Sequence, residues 1–366
     1  MGAMRLIVAG GGSGGHFFPA LAIMNEMIQR NEGIEYMYVG SDAGIESRKW
    51  TLPERNRRLL TVQGFRNKTV SQKLFSAVLL ARALHEAGSI IREFAPDAVL
   101  GVGGYASFPI LMSAVIRRIP SAVHEQNSVP GLANKVLARF VDRVFITFGT
   151  SADYLPGGKT RLTGLPIRYT AVRHKTFDSR VRTILVLGGS QGAHQVNDMM
   201  VRGLDNLMDM RDRVRFIHQT GATDLAVVRE AYGRRGFTAD VVGFIDDMAR
   251  VFDTADIAVS RAGASTLSEL AVFGVPSILL PYPSAAADHQ TLNANEIAAG
   301  GGAVVLPAAT QDPGLLVSHI RTLADDPVRL QHMSGAMTAG AKPGAAAAIV
   351  DELKILAGKG TTCTRE

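Results

Sequence analysis

The first apolar run of the chain, Leu6-Ile7-Val8-Ala9, is continuous rather than alternating, which predicts a short strand buried on both faces. With Met4 and Arg5 ahead of it, the run leads into Gly10-Gly11-Gly12-Ser13-Gly14-Gly15-His16, and apolar residues then recur at helical spacing from Pro19 to Arg30. The pattern reads as strand, glycine loop, helix. Much later, Thr183-Ile184-Leu185-Val186-Leu187 runs into Gly188-Gly189-Ser190-Gln191-Gly192-Ala193 and a helix-like stretch from Asn197 to Leu207, so the same device occurs twice.

Strand-like runs alternate with helix-like runs around both devices. They are Tyr36 to Val39, Ala98 to Val102, Ser121 to His124 and Val144 to Thr147, then Arg215 to Gln219, Asp240 to Val242, Ile257 to Ser260 and Ser277 to Leu280. Such alternation predicts parallel βαβ sheets, and two sets of similar length predict two doubly wound α/β domains, residues 1–164 and 165–343, joined near Thr163-Gly164-Leu165-Pro166. Ligands of open α/β sheets bind at the carboxyl ends of the strands, so a cleft faced by both domains is the expected active site.

Composition narrows the class. Hydrophobic residues make up 46% and charged residues 20% of 366, enough to bury large cores in more than one domain. The single cysteine, Cys363, precludes an intramolecular disulfide or a cysteine-built metal site, and a reducing compartment fits it. The apolar run Leu6 to Gly10 is too short for a signal-peptide core. Two long uncharged stretches, Ala98 to Ile116 and Leu270 to Ala287, are broken by Gly101, Gly103, Gly104 and Pro109, and by Gly274, Pro276, Pro281 and Pro283, so neither reads as a membrane-spanning helix. Residues 1–165 hold 19 Lys/Arg against 12 Asp/Glu, a net +7, while the remainder is −1. The first half therefore favours polyanions or acidic surfaces. Nucleic acid is disfavoured, because aromatics are only 6% and are not interleaved with the basic residues.

Glycine loops at helix N-termini aim backbone N–H groups and the positive end of a helix dipole at a ligand, which suits phosphate or diphosphate. A third segment adds to this: Ser260-Arg261-Ala262-Gly263-Ala264-Ser265-Thr266-Leu267-Ser268-Glu269 follows a predicted strand and opens a predicted helix. Its small residues allow close approach to a diphosphate, Arg261 is placed to neutralise it, and Glu269 to accept from ribose hydroxyls. The chain has no D-x-D and no H-E-x-x-H, so no metal-held diphosphate and no cofactor are indicated. The charge of a departing diphosphate would fall to helix N-termini, Arg261 and Arg168. His16, at the end of the first loop, meets a dipole that disfavours imidazolium and is a candidate general base; a helix-cap or phosphate contact is the competing role.

Taken together, Gly11-Gly12-Ser13-Gly14-Gly15-His16-Phe17-Phe18-Pro19-Ala20, His124-Glu125-Gln126-Asn127, Thr163 to Arg168, Gly188 to Ala193, Arg261 to Glu269, and Asp288-His289-Gln290 with Asn293-Ala294 resemble the MurG family of peptidoglycan N-acetylglucosaminyltransferases. The matches run in order over nearly the whole chain. The resemblance implies the two-domain GT-B fold, with a last helix at 344–357 crossing back to the first domain. It implies inverting transfer of N-acetylglucosamine from UDP-N-acetylglucosamine to the 4-hydroxyl of undecaprenyl-diphospho-N-acetylmuramoyl-pentapeptide (lipid I), giving lipid II and UDP. Carried over by residue, Ile245, Arg261 and Ala264, Ser265, Thr266, Leu267, Ser268 and Glu269 would hold the nucleotide, with Ser190 and Arg168 also touching it. Asn127 and Gln290 would hold the sugar, while Ser13, Gly14 and Gly15 line the acceptor side beside His16 and Tyr105. Two positions depart from the family pattern: Ser13 stands for a threonine and Leu165 for an asparagine.

A lipid acceptor gives the basic first half a meaning. Ser71 to Phe94 reads as a helix with Leu74, Phe75, Val78 and Leu79 at helical spacing, near Arg66, Lys68, Lys73 and Arg82. The expectation is peripheral attachment to the anionic cytoplasmic face of a bacterial plasma membrane. The rival readings are a nicotinamide oxidoreductase using Asp42 as ribose acceptor, a non-hydrolysing UDP-sugar epimerase on the same plan, and a nucleotide-sugar-binding scaffold.

Overall fold

The structure, a computed structural model, describes residues 3–62, 70–189, 191–282 and 288–358, side chains of 70–78 excepted. The chain forms two compact units, Met1–Arg168 with Gly344–Glu366, and Tyr169–Pro343. The division thus falls after Arg168, whereas the sequence signal placed it after Gly164.

In the first unit the strands are β1 (Met4–Ala9), β2 (Ile34–Ser41), β3 (Arg57–Leu60), β4 (Ala98–Gly101), β5 (Ser121–Glu125), β6 (Arg143–Ile146) and β7 (Thr160–Leu162). They pair in parallel in the order β3-β2-β1-β4-β5-β6-β7. The helices are α1 (Gly14–Arg30), α2 (Glu46–Lys49), α3 (Val70–Phe94), α4 (Ser107–Ile116) and α5 (Leu132–Leu137). The second unit contains β8 (Arg182–Leu187), α6 (His194–Gly203), β9 (Val214–Gln219), α7 (Leu225–Arg234), β10 (Ala239–Val242), α8 (Met248–Thr254), β11 (Ile257–Ser260), α9 (Ala264–Val272), β12 (Ser277–Leu279), α10 (His289–Ala299), β13 (Ala303–Val305), α11 (Pro313–Ala324) and α12 (Pro327–Gly340). Its parallel sheet runs β10-β9-β8-β11-β12-β13. Each is a Rossmann-type sheet with its first strand central, the arrangement that leaves ligand loops at the carboxyl edge.

Continuous apolar runs arise because each strand is covered on both faces. In β1, Ile7 and Ala9 join the core beneath α3 and α4 with Ala83, Ala87, Ile110 and Leu111. Leu6 and Val8 point the other way, into a core made with Phe17, Ile23 and Met24 of α1. That second core is completed by α13 (Ala345–Leu356), whose Ile349, Val350 and Leu353 are fully buried in it. Burying each such side chain stabilises by about 1.5–3 kcal/mol. Polar ties fix the helix in register: Arg30 pairs with Asp351 and donates to the Ala347 carbonyl, and Lys354 meets Glu32 at 2.6 Å. In the second unit one core, including Val186, Val196, Phe216, Val259 and Ile320, fills the space between sheet and helices.

Three strands escape a hydrophobic reading, and all lie at or beside a sheet edge. In β3 the sequence is Arg-Arg-Leu-Leu and only Leu60 is buried, as suits an edge strand. At three residues each, β7 and β13 are too short to show periodicity. Helix α1 begins at Gly14, earlier than the predicted Pro19, because the extended Ser13 N-caps it and its carbonyl accepts from the His16 and Phe17 N–H groups. His16 is therefore in the first turn of the helix.

Candidate active site

The first unit gathers its polar residues at the carboxyl ends of β1, β4 and β5. Ser13 makes no side-chain cap; its hydroxyl lies 3.1 Å from His16 Nδ1. Burial holds the His16 pKa below its ordinary 6.5, opposed by a hydrogen bond to the Gly11 backbone and by the Glu46 charge. The ring is neutral at physiological pH, as a proton acceptor must be. The loop after β4 closes on it from one side. A Cβ on Gly103 would stand 2.6 Å from His16 Cδ2, and one on Gly104 only 2.1 Å from the Gly11 carbonyl oxygen. Glycine at both positions lets two loops touch. Tyr105, next in that loop, is 56% exposed.

At the end of β5, His124 is fully buried, and its Nε2 lies 2.9 Å from the Gly164 carbonyl. A carbonyl only accepts, so Nε2 carries the proton and Nδ1 accepts from the Gln126 amide at 3.2 Å. Burial pushes the His124 pKa down to about 4. Glu125 turns inward and accepts from Asn134 Nδ2 (2.7 Å), the Asn127 N–H (2.9 Å) and the Gly131 N–H (3.1 Å). Burial raises its pKa, with these hydrogen bonds opposing. This carboxylate shapes the loop that presents the half-buried Asn127. Arg168 is exposed at the end of the unit, and Leu165, where the family pattern has asparagine, is buried.

Not every backbone donor of the first glycine loop is open to a phosphate. The Gly12 N–H is held by both carboxylate oxygens of Glu46, at 2.9 and 3.1 Å. Asp42, the ribose acceptor in the oxidoreductase reading, instead accepts from the Thr61 hydroxyl at 2.8 Å.

In the second unit the ligand-facing edge is built by the loop after β8 and the N-terminus of α9. Ser190 lies outside the described residues. The adjoining backbone is held from β9, with Gln219 Nε2 donating to the Gly189 carbonyl at 2.8 Å. Below it a polar chain runs through the first turn of α6: Asn197 donates to Asp224 (2.7 Å) and the Thr220 carbonyl (2.9 Å) and accepts from His218 Nε2 (3.0 Å). Burial pushes the His218 pKa down to about 3.

Helix α9 separates the expected nucleotide residues into two groups. Gly263 caps it in extended conformation, so the N–H groups of Ala264, Ser265 and Thr266 have no partner within the helix. The Leu267 N–H bonds the Gly263 carbonyl at 3.0 Å and its side chain is fully buried in the core. Ser265, Thr266, Ser268 and Glu269 lie on the partly exposed face. Ile245 is buried in the loop after β10.

Arg261 differs from expectation. It is buried, and its guanidinium donates to the Leu280 carbonyl (3.0 Å), the Pro281 carbonyl (3.3 Å) and Gln195 Oε1 (2.9 Å), 5.3 Å from the Tyr282 ring. These bonds tie the end of β12 to the first turn of α6, a structural use of the fork that sequence spacing does not reveal. Gln290 belongs to the same neighbourhood, its Oε1 accepting from the Tyr282 N–H at 2.9 Å. Among the described residues, no group of three or more His, Cys, Asp or Glu is placed to hold a metal ion. The residues that sequence reasoning passed over as site-builders are Glu46, His124, Glu125 and Gln126, of which only Glu46 lies outside the quoted motifs.

Residues 6–146 match the Glycosyltransferase family 28 N-terminal domain, and residues 183–349 the Glycosyltransferase family 28 C-terminal domain. The chain is 43% identical over 361 residues to the UDP-N-acetylglucosamine--N-acetylmuramyl-(pentapeptide) pyrophosphoryl-undecaprenol N-acetylglucosamine transferase of Geobacter sulfurreducens, spanning 96% of this chain and 98% of that protein. The crystal structure of Acinetobacter baumannii MurG matches with a TM-score of 0.80 at 28% identity, over 96% of this chain and 99% of that one. A UDP-N-acetylglucosamine 2-epimerase structure matches with a TM-score of 0.71 at 14% identity, over 100% and 99%, a likeness of fold alone.

Proposed function

The chain belongs to glycosyltransferase family 28, whose N- and C-terminal domains it carries in order, and from that premise we propose that it transfers N-acetylglucosamine from UDP-N-acetylglucosamine to the N-acetylmuramyl-pentapeptide diphospho-undecaprenol acceptor named for its relatives. The observation that carries the reading is His16: a neutral imidazole in the first turn of α1, oriented by Ser13 and Gly11 and walled by the Gly103-Gly104 loop.

The chemistry follows from those parts. The acceptor 4-hydroxyl attacks the anomeric carbon as His16 takes its proton, the bond from that carbon to the diphosphate oxygen breaks, and UDP leaves with the electron pair. A single displacement inverts the anomeric centre. A general base of this kind contributes about 10²–10⁴-fold. The N–H groups at the start of α9 that have no partner within the helix meet the charge that grows on the diphosphate, assisted by the helix dipole, with no cofactor assigned a role. Glu269, Ser265 and Thr266 share one face of α9 and suit ribose and phosphate; Ile245 and Ser190 complete the nucleotide contacts, with Asn127 and Gln290 on the sugar. Arg261 acts by shaping this edge, and Arg168 remains the exposed cation offered to the diphosphate.

The acceptor's polyprenyl chain implies a lipid surface, and the basic first half suits an anionic cytoplasmic membrane face. Among the described residues no helix is long and apolar enough to cross a membrane. Leu74, Phe75, Val78, Arg66, Lys68 and Lys73, expected to make the contact, lie outside the described side chains. Co-sedimentation with anionic liposomes that falls with salt and with Phe75→Glu supports peripheral attachment.

The decisive test is UDP release from UDP-N-acetylglucosamine with and without a short-chain lipid acceptor, in wild type and His16→Ala. Acceptor-dependent release, reduced about 10²-fold or more in the variant while UDP still binds, is the expected result. No acceptor-dependent release from folded protein refutes the transferase reading, and conversion of the UDP-sugar to its epimer without net UDP release favours the epimerase alternative.

A further inference from the structure

Glu46, in the short helix α2, is a fully buried carboxylate to which nothing above gives a part in the reaction. Its Oε1 accepts from the Ser41 N–H at 2.6 Å and from the Gly12 N–H at 3.1 Å, and its Oε2 from the same Gly12 N–H at 2.9 Å. The surrounding chain is bare to admit it. A Cβ on Gly11 would stand 2.0 Å from Oε1, one on Gly44 2.2 Å from Oε2, and one on Gly40 2.8 Å from Cγ.

The loop is pinned on both sides of Gly11. Tyr38 donates its hydroxyl to the Gly10 carbonyl at 2.6 Å, and Glu46 holds Gly12. Ser13, which follows Gly12 directly, meets His16 twice: its hydroxyl lies 3.1 Å from Nδ1, and its carbonyl accepts from the His16 N–H at 3.2 Å. We propose that Glu46 is a positioning residue for His16, anchoring the Gly11-Gly12 backbone that carries Ser13 against the imidazole and acting on the ring through its negative charge. The proposal rests on His16 as the base of the transfer reaction.

The charge argument depends on what else faces the ring. His124 approaches from β5 and is neutral near pH 7, and Tyr38 on β2 keeps its proton because burial drives its pKa far up. Arg57 of β3 donates to the Glu46 main-chain carbonyl at 2.9 Å and also pairs with Glu54. Glu46 is thus the anion that acts on the imidazole, and its field favours the imidazolium formed as the acceptor proton arrives. An amide cannot replace it without loss, because both oxygens face N–H donors and one would become an N–H itself.

The test uses the full chain with Glu46→Gln and Gly11→Ala, the second of which pushes the loop off an intact carboxylate. Turnover with the short-chain lipid acceptor is measured across pH, and the His16 ring protons are titrated by NMR in the free protein, assigned with His16→Ala. In Glu46→Gln, kcat is expected to fall about tenfold with the donor KM changed less than about twofold. The His16 titration midpoint moves to lower pH, and the acidic limb of kcat/KM moves with it. In Gly11→Ala, kcat falls similarly and the donor KM again holds. If Glu46→Gln does not fold, the same kcat against KM split in Gly11→Ala supports the proposal and an unchanged kcat overturns it. A Glu46→Gln protein with the wild-type His16 midpoint overturns it, whether or not stability drops. Wild-type protein that shows no acceptor-dependent transfer refutes the reaction assigned above, while the NMR titration still decides whether Glu46 acts on His16.

Discussion

Protonation of His124 should destabilise the first unit as the pH falls. The imidazole is fully buried, with Nε2–H on the Gly164 carbonyl and Nδ1 accepting from the Gln126 amide, so Nδ1 cannot take a proton without losing that donor. In the fold its pKa is pushed down to about 4, against 6.5 for an ordinary histidine. The unfolded chain therefore binds the proton first as pH falls. Stability linked to this group is complete above pH 6.5, declines as pH drops toward 4, and levels off below it. At about 1.36 kcal/mol per pH unit of pKa difference, the loss is about 2 kcal/mol at pH 5 and about 3 kcal/mol at its limit. Trp50, the only tryptophan, packs against Tyr38 inside the first unit and reports on it alone. Urea unfolding followed by Trp50 fluorescence at pH 7.5 and 5 should show this loss in wild type. His124→Gln, which retains a donor for Gly164 and does not titrate, should lose less by about that amount. Histidine 218, held down to about 3 in the second unit, supplies a control whose acid dependence stays unchanged. Equal pH slopes for wild type and His124→Gln by Trp50 fluorescence would refute the reasoning.

Leu353→Ala empties a fully buried position between α13 and the sheet, and should destabilise the first unit by about 2–5 kcal/mol in the same fluorescence assay. A change under about 0.5 kcal/mol would mean that α13 is not part of that core. Arg261→Lys keeps the charge but not the fork, and should cost UDP-free protein about 2–4 kcal/mol of stability in the second unit through the lost bonds to Leu280, Pro281 and Gln195. Unchanged thermal unfolding with weakened UDP affinity would instead assign Arg261 directly to the diphosphate.

Much of the site was legible because its residues lie close together in sequence. Glycine loops after apolar strands announce helix N-termini, and the places of His16 and of the polar face of α9 at such termini follow from these local patterns, whereas Asn127 came from the family resemblance. The surroundings of Leu267 and Arg261 were hidden for one reason: sequence gives the helix, but only packing shows which of its faces is covered. Leu267 faces the core with Leu270 and Ala271, and Arg261 finds three acceptors on segments distant from it in the chain.

By itself, then, the chain determined two parallel α/β sheets, their central strands and the loops at their carboxyl edges, because buried parallel strands require continuous apolar runs and tight strand-to-helix turns require glycine. Tertiary structure decided the edge strands, the side chains by which α13 is seated, and the partners of Glu46 and His124. A buried charge or imidazole is defined by what surrounds it in space, and those surroundings come from strands and loops that are far apart along the chain.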